Sequence, residues 1–327
     1  MIKRLPAALL AFMAFVPVQV EGQLDGMRVN WPLPKNFNIL AVHRLSGTVN
    51  ATLTNLPFIQ PSLDIENELY LLTYSRSQPI LGRSTVWTAV LPAGVIKTSS
   101  PLPVATNDPF VHGVGDPSLG VTINLVGAPA LMLREYARYD LGTVVSLGVS
   151  GTFPLGQYDS LEPLNVGSNQ YKVRFALPIV HSLGAWVPGG RTTIEVTPSL
   201  TWLTANNDSR GQTVDQDPLV AVEAHLTRDF TRNAAISADY SYIRFGESTA
   251  TDNASGTVSG AVASADTHLF GATLNFTIND NLALFVTHMQ TVSGEAPVAL
   301  EGALSRVTLT WSFHRVIENR RNYVSGS

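Results

Sequence analysis

The residues best suited to acid–base chemistry, the histidines, are scattered along the chain. A nucleophilic site needs a base, a nucleophile and an orienting group held within reach of one another. His181 and Ser182 are adjacent, so in a strand their side chains point to opposite faces. We find no spacing that brings three such groups together, and we expect no enzyme activity, no catalytic residues and no cofactor. The seven histidines are His43, His112, His181, His225, His268, His288 and His314.

Motifs for phosphate, metal and nucleic acid are incomplete. "GVGDPSLG" lacks the Gly-Lys-Ser/Thr ending of a phosphate loop, and "NNDSRGQTVDQD" lacks the spacing of an EF-hand loop. The chain contains no cysteine, which excludes thiolate metal sites and disulfides. The net charge of -4 argues against nucleic acid as a partner. We therefore expect no metal site, although weak calcium or lipopolysaccharide contact at external loops stays open.

Five charged or titratable residues stand out because they lie on the polar parity of four consecutive predicted strands. One interpretation is a polar filling that braces a wall with salt bridges. The other is a constriction that selects what passes through a lumen. The five candidates are Arg174, Glu195, Glu223, His225 and Asp239.

Alternation between apolar and polar residues is the dominant pattern, and "SRVTLTWSF" shows it clearly. Successive side chains of a strand point to opposite faces, so this stretch has one oily and one polar face. Related stretches carry whole charges at mid-strand on the polar face, which favours a lipid-facing apolar side and a polar interior. The residues predicted to face lipid are Val307, Leu309, Trp311 and Phe313.

The composition agrees with a membrane barrel. Charged residues make up 14% of the chain, against roughly 25% in a typical soluble domain. The mean hydropathy is +0.13, yet no long apolar run follows the N-terminus. Dispersed apolar residues without spanning helices are typical of a transmembrane barrel.

Connection lengths alternate, which fixes the sidedness of the predicted barrel. Connections after odd-numbered strands are long, and those after even-numbered strands are mostly short, as in barrels with external loops and periplasmic turns. The one longer even connection, "GAPALMLREYARYD", predicts a short helical turn. Pro198 lies mid-strand, where it must cost a ladder hydrogen bond or mark an irregularity. The fold class is therefore all-β, a transmembrane antiparallel up-and-down β-barrel of about twelve strands, predicted near 37–47, 65–77, 82–92, 117–127, 140–153, 169–180, 191–204, 217–229, 234–245, 266–278, 281–291 and 303–315.

Four regions follow from this pattern. Residues 1–22, with Lys3 and Arg4 before an apolar run, are predicted to be a signal peptide. Residues 23–36 form a periplasmic segment that could fold back as a plug. The barrel is predicted at 37–315, and residues 316–327 form a polar C-terminal tail.

Five stretches resemble an outer-membrane family whose members are classed as transporters of the meta-cleavage pathway of phenol degradation. They occur in the order of the family and cover most of the mature chain. The chain departs from the family pattern at Asn169-Gln170-Tyr171, where an Asn-Arg-Trp-like cluster is expected, and in its extra terminal tail. The stretches are "NWPLPKNFNIL", "GVGDPSLGVTINLVGAPAL", "FPLGQYD", "NVGSNQYKVRF" and "QDPLVAVEAHLT".

This resemblance and the barrel pattern predict an outer-membrane channel for passive uptake of small aromatic or otherwise apolar compounds in a Gram-negative bacterium. A closed barrel with a structural or surface-binding role is the alternative. The expected partners are small apolar or aromatic solutes, outer-membrane lipid and lipopolysaccharide, and the barrel assembly machinery, with no nucleic acid.

Overall fold

The computed structural model describes residues 25–53, 62–99, 110–162, 164–294 and 298–314. The signal peptide expected at 1–22 and the tail expected at 316–327 lie outside these ranges, and so do residues 23 and 24.

Eighteen strands are present in the described ranges, most of them from the alternating stretches noted above. Alternation favours strands because each face then meets a uniform environment. The strands are β1 (Phe37–Leu53), β2 (Ser62–Ser77), β3 (Thr85–Ser99), β4 (Phe110–Val114), β5 (Ser118–Val126), β6 (Thr143–Thr152), β7 (Lys172–Ala176), β8 (Ile179–Ser182), β9 (Thr192–Leu203), β10 (Asn206–Ser209), β11 (Gln212–Gln216), β12 (Leu219–Asp229), β13 (Ala234–Phe245), β14 (Ser248–Asp252), β15 (Val258–Val262), β16 (Ala265–Thr277), β17 (Leu282–Gly294) and β18 (Val298–His314).

Fourteen strands form one antiparallel sheet that closes on itself. β4 and β5 both pair with β3, and β7 and β8 both lie between β6 and β9, so each pair makes one interrupted passage. The sheet therefore has twelve passages. It is closed by the pairing of β12 with β9 and of β1 with β18, which runs from Phe37 opposite His314 to Leu53 opposite Val298. This confirms the predicted barrel of about twelve strands.

The two faces of the sheet differ in polarity. Ser237, Ser241 and Thr273 have at most 1% of their surface exposed, whereas Phe270 and Leu274 are 54% and 41% exposed. A soluble protein would show the opposite arrangement, while a barrel in lipid needs apolar groups outside. The outer surface is thus apolar and the interior carries small polar and charged side chains.

Pro198 lies where the neighbouring passage is interrupted. The chain between β7 and β8 is Leu177-Pro178, and Leu177 N donates a hydrogen bond of 3.0 Å to Pro198 O. The return bond would need an N–H that proline lacks. Only the return hydrogen bond is therefore lost, at the level where β7 ends and β8 has not begun, and this explains how a closed barrel tolerates the proline.

The strands around the closing seam are longer than predicted. β1 continues to Leu53 and β18 begins at Val298, whereas the sequence predicted 37–47 and 303–315. The additional residues at 48–53 still alternate, but their polar members Thr48, Asn50 and Thr52 share the parity of the outward-facing Val42. They remain in strands because each still finds a hydrogen-bonded partner across the seam.

A second sheet of four strands lies in connections that the sequence predicted as loops at 205–216 and 246–265. Its order is β10-β11-β14-β15, with Gln212 opposite Asp252 and Gln216 opposite Ser248. Arg210 and Gly211 both have positive φ, 55° and 77°, in the two-residue turn between β10 and β11. The strands are too short and polar for periodicity to reveal them.

The motif "GVGDPSLG" interrupts the passage between β4 and β5 and fixes an external loop. The buried Asp116 carboxylate accepts hydrogen bonds from Gly156 N at 2.9 Å, Ser168 N at 2.7 Å and Ser168 Oγ at 2.6 Å. A buried carboxylate with three donors is well satisfied. The motif therefore has a structural role in holding Gly156 and Ser168 of the external loop against the barrel.

A helix, α1 (Leu133–Tyr136), lies between β5 and β6, where the sequence predicted a helical turn. Met132 N donates to Glu135 Oε2 at 2.8 Å at its start. Among the described residues, no helix has the length and apolar character to cross a membrane.

Candidate functional site: the barrel lumen

Residues 25–34, here called the inner segment, lie inside the barrel and hydrogen-bond to its wall. Glu195 on β9 accepts from Arg28 N at 3.0 Å and from Trp31 Nε1 at 2.9 Å. Asn30 Nδ2 donates to Thr197 Oγ1 at 3.1 Å. Glu195 is 1% exposed, and a buried carboxylate is stable only when such donors surround it. These hydrogen-bond acceptors of the wall are therefore satisfied by donors of the inner segment.

A cluster near the periplasmic end, here called the periplasmic clamp, holds the same segment. Asp229 forms ion pairs with Arg28 and with Arg191, whose Nε lies 2.8 Å from Asp229 Oδ2. The Arg28 guanidinium lies 4.5 Å from the ring centre of Trp31, and Arg191 lies 5.1 Å from that of Trp186. Burial lowers the pKa of Arg28 and Asp229 opposes this shift, so the guanidinium stays charged. The clamp joins the inner segment to β12 and the turn before β9.

Asp25 lies at the centre of the lumen, between arginines from opposite walls. Arg174 Nη1 and Nη2 lie 3.3 and 3.2 Å from the two carboxylate oxygens of Asp25. Arg306 Nη1 donates to Asp25 O at 3.4 Å, and Asp25 N donates to Glu223 Oε2 at 2.8 Å. β7 and β18 are six positions apart in either direction around the twelve passages, so Arg174 and Arg306 reach across the lumen. A Cβ on Gly26, which has φ +87°, would collide with Arg306, so glycine is needed beside this contact.

A buried network braces four consecutive passages behind the inner segment. His225 Nδ1 lies 2.7 Å from Asp239 Oδ1. Ser237 Oγ donates to Asp239 Oδ1 at 2.6 Å and Thr273 Oγ1 donates to Asp239 Oδ2 at 2.5 Å. Thr273 and Thr287 hydroxyls are 2.9 Å apart. The network thereby links β12, β13, β16 and β17.

A cavity of about 390 Å³ lies on the other side of the inner segment. Among the described residues, more arginines than carboxylates line it. The arginines are Arg28, Arg174 and Arg306, and the carboxylate is Asp25. Glu195, Glu223 and Asp239 do not line it. The opposite wall, from β1 to β6, contributes hydroxyl and aliphatic side chains that include Leu45, Leu71, Val86, Thr88, Val90 and Thr122.

The five residues predicted to line a lumen all point inwards. Four are nearly buried, with exposures of 1% for Glu195, 2% for Glu223 and Asp239, and 7% for His225. The structure places these four behind the inner segment, and Arg174 alone of the five reaches the cavity.

The four residues predicted to face lipid lie on the outer surface of β18. Val307, Leu309 and Trp311 are 43%, 44% and 50% exposed. Phe313 is half-buried, with its ring centre 4.9 Å from that of Trp311.

Several residues of the site were missed by the sequence reasoning. Arg306 lies on the polar face of "SRVTLTWSF", and Asp229 continues the inward parity of Glu223 and His225, so both carried a signal. Asp25 and Arg28 carried none, because the inner segment has no periodicity that relates it to the wall.

A closed sheet with an apolar exterior and a charged interior defines a transmembrane β-barrel of the outer-membrane type. Residues 48–307 match the family described as "Putative MetA-pathway of phenol degradation", and the chain belongs to that family. The resemblance noted in the sequence is thereby confirmed.

Solved structures of other proteins are similar to this chain at low sequence identity. The barrel is similar to the COG4313 outer membrane channel from Pseudomonas putida F1, with a TM-score of 0.69 and 17% identity over 87% of this chain and 98% of that chain. At this identity the likeness shows a shared fold. The transport unit of the autotransporter AIDA-I from Escherichia coli matches with a TM-score of 0.49 and 10% identity over 95% of this chain and 100% of that chain. No curated protein matches the chain in sequence.

Proposed function

We propose that the protein is an outer-membrane channel for passive uptake of small aromatic or otherwise apolar compounds. The observation that carries the proposal is the cavity of about 390 Å³ that remains beside the inner segment. Ligand pockets commonly have volumes of roughly 300–1,000 Å³ and combine apolar walls with a few polar groups. The cavity has aliphatic side chains such as Leu71 and Val90 together with hydroxyls such as Thr88.

The family and the fold also support this proposal, independently of the cavity. The family description names phenol degradation, and the similar structure from Pseudomonas putida F1 is a channel. The apolar outer surface is suited to contact outer-membrane lipid and lipopolysaccharide, and insertion of such a barrel would need the barrel assembly machinery.

A closed barrel with a structural or surface-binding role is the second candidate. The inner segment favours it, because hydrogen bonds to Glu195 and Glu223 and the Arg28–Asp229 ion pair of the periplasmic clamp hold that segment inside the lumen. The two candidates differ in whether a solute can pass the segment.

Uptake by cells distinguishes them. Initial uptake of labelled phenol and of a labelled pentose would be compared in cells with and without the protein, with outer-membrane localisation verified by fractionation. A channel for aromatic solutes predicts faster uptake of phenol and little change for the pentose. Equal uptake of both solutes with and without the protein would favour the closed barrel.

A further inference from the structure

We propose that Arg174 and Arg306 form a carboxylate-binding site in the lumen that Asp25 of the inner segment occupies, and that aromatic carboxylates entering the cavity displace Asp25 from it. This inference rests on the proposed function, because it names a solute class for the same lumen. It adds that the Asp25 side chain occupies the carboxylate-binding site when no solute is bound.

The contact between Arg174 and Asp25 has the form of a carboxylate-recognition site. Two guanidinium nitrogens face the two carboxylate oxygens, as in the planar fork by which arginine recognises carboxylates. The distances of 3.3 and 3.2 Å exceed the roughly 2.7–2.9 Å of a strong charge-assisted bond. Arg174 Nε has no hydrogen-bond partner among the described residues. The site is therefore filled, but Arg174 can still gain from a better-placed ligand.

Arg306 brings a second positive charge to the same place. Its Nη1 contacts the carbonyl oxygen of Asp25 at 3.4 Å. Among the described residues, the arginine and carboxylate side chains that line the cavity beside these groups are Arg28, Arg174, Arg306 and Asp25. The wall carboxylates Asp229 and Glu223 pair with Arg28 and Arg174 from behind the inner segment, so on the cavity side a solute meets guanidinium groups and the carboxylate of Asp25.

The neighbouring surface suits an aromatic ring. Phe285, Leu45, Leu71 and Val90 line the cavity, and Phe285 lies opposite Thr308, two positions from Arg306, in the pairing of β17 with β18. A single-ring carboxylate could place its charge at the arginines and its ring against these side chains. A cation would meet like charge at the arginines, and a sugar would leave the aliphatic wall uncovered.

Displacement would loosen one end of the inner segment. Asp25 holds that end through Arg174, Arg306 and Glu223, whereas the periplasmic clamp holds the part around Arg28. A solute at Arg174 would thus remove a contact that keeps Asp25 in the centre of the lumen while the clamp remains. Binding of the solute at Arg174 would thus be coupled to movement of Asp25 out of the centre of the lumen.

Calorimetric titration of the purified full-length protein in detergent tests the site. The probes are benzoate, benzyl alcohol and benzylammonium at neutral pH and low salt. We expect benzoate to bind at least about tenfold more tightly than benzyl alcohol, since charge-assisted hydrogen bonds contribute that much, and benzylammonium to bind most weakly. Equal affinities for benzoate and benzyl alcohol would overturn the proposal.

Three variants locate the binding site. Asp25→Asn removes the competing charge and should raise benzoate affinity about tenfold, whereas Arg174→Gln should lower it by about tenfold or more. Arg44→Gln is the matched control, because Arg44 lies on the outer surface and pairs with Glu68. It should leave benzoate binding unchanged. Benzoate affinities that are the same in all three variants would overturn the assignment.

Two further measurements keep the outcomes separate. If Arg174→Gln does not run as a folded barrel on an unboiled gel, Arg174→Gln/Glu223→Gln removes both charges together and tests the same loss of affinity. If benzoate binds as expected but cells with the protein take up no labelled aromatic solute faster than cells without it, the transport proposal fails and the site stands. If such cells take up phenol faster but benzoate does not bind preferentially, the site fails and the channel stands.

Discussion

The two halves of the barrel interior are built from different side chains, although both belong to one continuous sheet. The half from β7 to β13 carries buried charges such as Glu195, Glu223 and Asp239, and each accepts hydrogen bonds from the inner segment or a neighbouring strand. The half from β1 to β6 carries hydroxyl and aliphatic groups such as Thr88 and Val90, and it borders the cavity. Charge in this lumen therefore fixes a segment in place, and open space remains where charge is sparse.

The largest expected effect comes from removing the central acceptor of the charged half. Glu195→Ala leaves Arg28 N, Trp31 Nε1 and Thr193 Oγ1 without their acceptor, which should cost roughly 3–9 kcal/mol at about 1–3 kcal/mol for each of the three unsatisfied donors. Urea unfolding followed by mobility on unboiled gels measures this loss. Thr88→Ala in the cavity half is the control and should cost under about 1.5 kcal/mol. Equal losses would mean that the two halves do not differ in how they support the fold.

A somewhat smaller effect is expected when a charge is introduced on the outer face of β18, compared with its inner face. Leu309→Arg puts a charge on the exposed face of β18 and should cost roughly 2–4 kcal/mol near the midplane of the membrane. Thr310→Arg is the matched control, because Thr310 lines the cavity and its substituted head group can stay in water. Assembly into lipid vesicles, scored by gel mobility, compares the two. Normal assembly of Leu309→Arg with failure of Thr310→Arg would show that the sheet is inside out.

Filling the cavity should alter uptake more than stability. Val90→Trp places a large ring in the cavity that Val90 lines. Free volume there limits the strain, so the unfolding free energy should change by under about 1.5 kcal/mol. Uptake of labelled phenol should fall several-fold if the cavity is part of the path. Val42→Trp, on the outer surface at 49% exposure, adds the same bulk elsewhere. Equal uptake by the two variants would place the path outside this cavity.

The smallest effect is expected for an ion pair outside the lumen. Arg44 Nε lies 2.9 Å from Glu68 Oε1 on the outer surface, and the Arg44 side chain is 58% exposed. Solvated pairs of this kind contribute little. Arg44→Gln should leave urea unfolding unchanged, whereas Arg191→Gln removes a partner of the buried Asp229 and should shift the midpoint to lower urea. A larger shift for Arg44→Gln would contradict the view that burial gives the charges of the lumen their importance.

Sequence periodicity was enough to predict the barrel, because a sheet in lipid requires alternation along every passage. It could not show the lengths of β1 and β18, because the polar residues at the outer end of β1 take the parity that is apolar nearer the middle of the strand. The five inward residues from Arg174 to Asp239 were found by the same parity. The contacts of Arg174 and Glu223 with Asp25, and of Glu195 with Arg28, were not predicted, because they depend on where a segment without periodicity comes to lie. Pro198 was recognised as anomalous, and its explanation needed the interruption at Leu177-Pro178 on the neighbouring passage.

The contact between Asp25 and Arg306 joins residues 281 positions apart in the chain. It therefore cannot form until β18, the last strand of the described residues, has reached the assembling barrel. β18 also completes the seam with β1, from Phe37 opposite His314 to Leu53 opposite Val298. Contacts of such long sequence separation are slow to form. The contact of Asp25 with Arg306 and the closure of the barrel by β1 and β18 therefore belong to the same late step of biogenesis. A chain truncated before β18 would lack both.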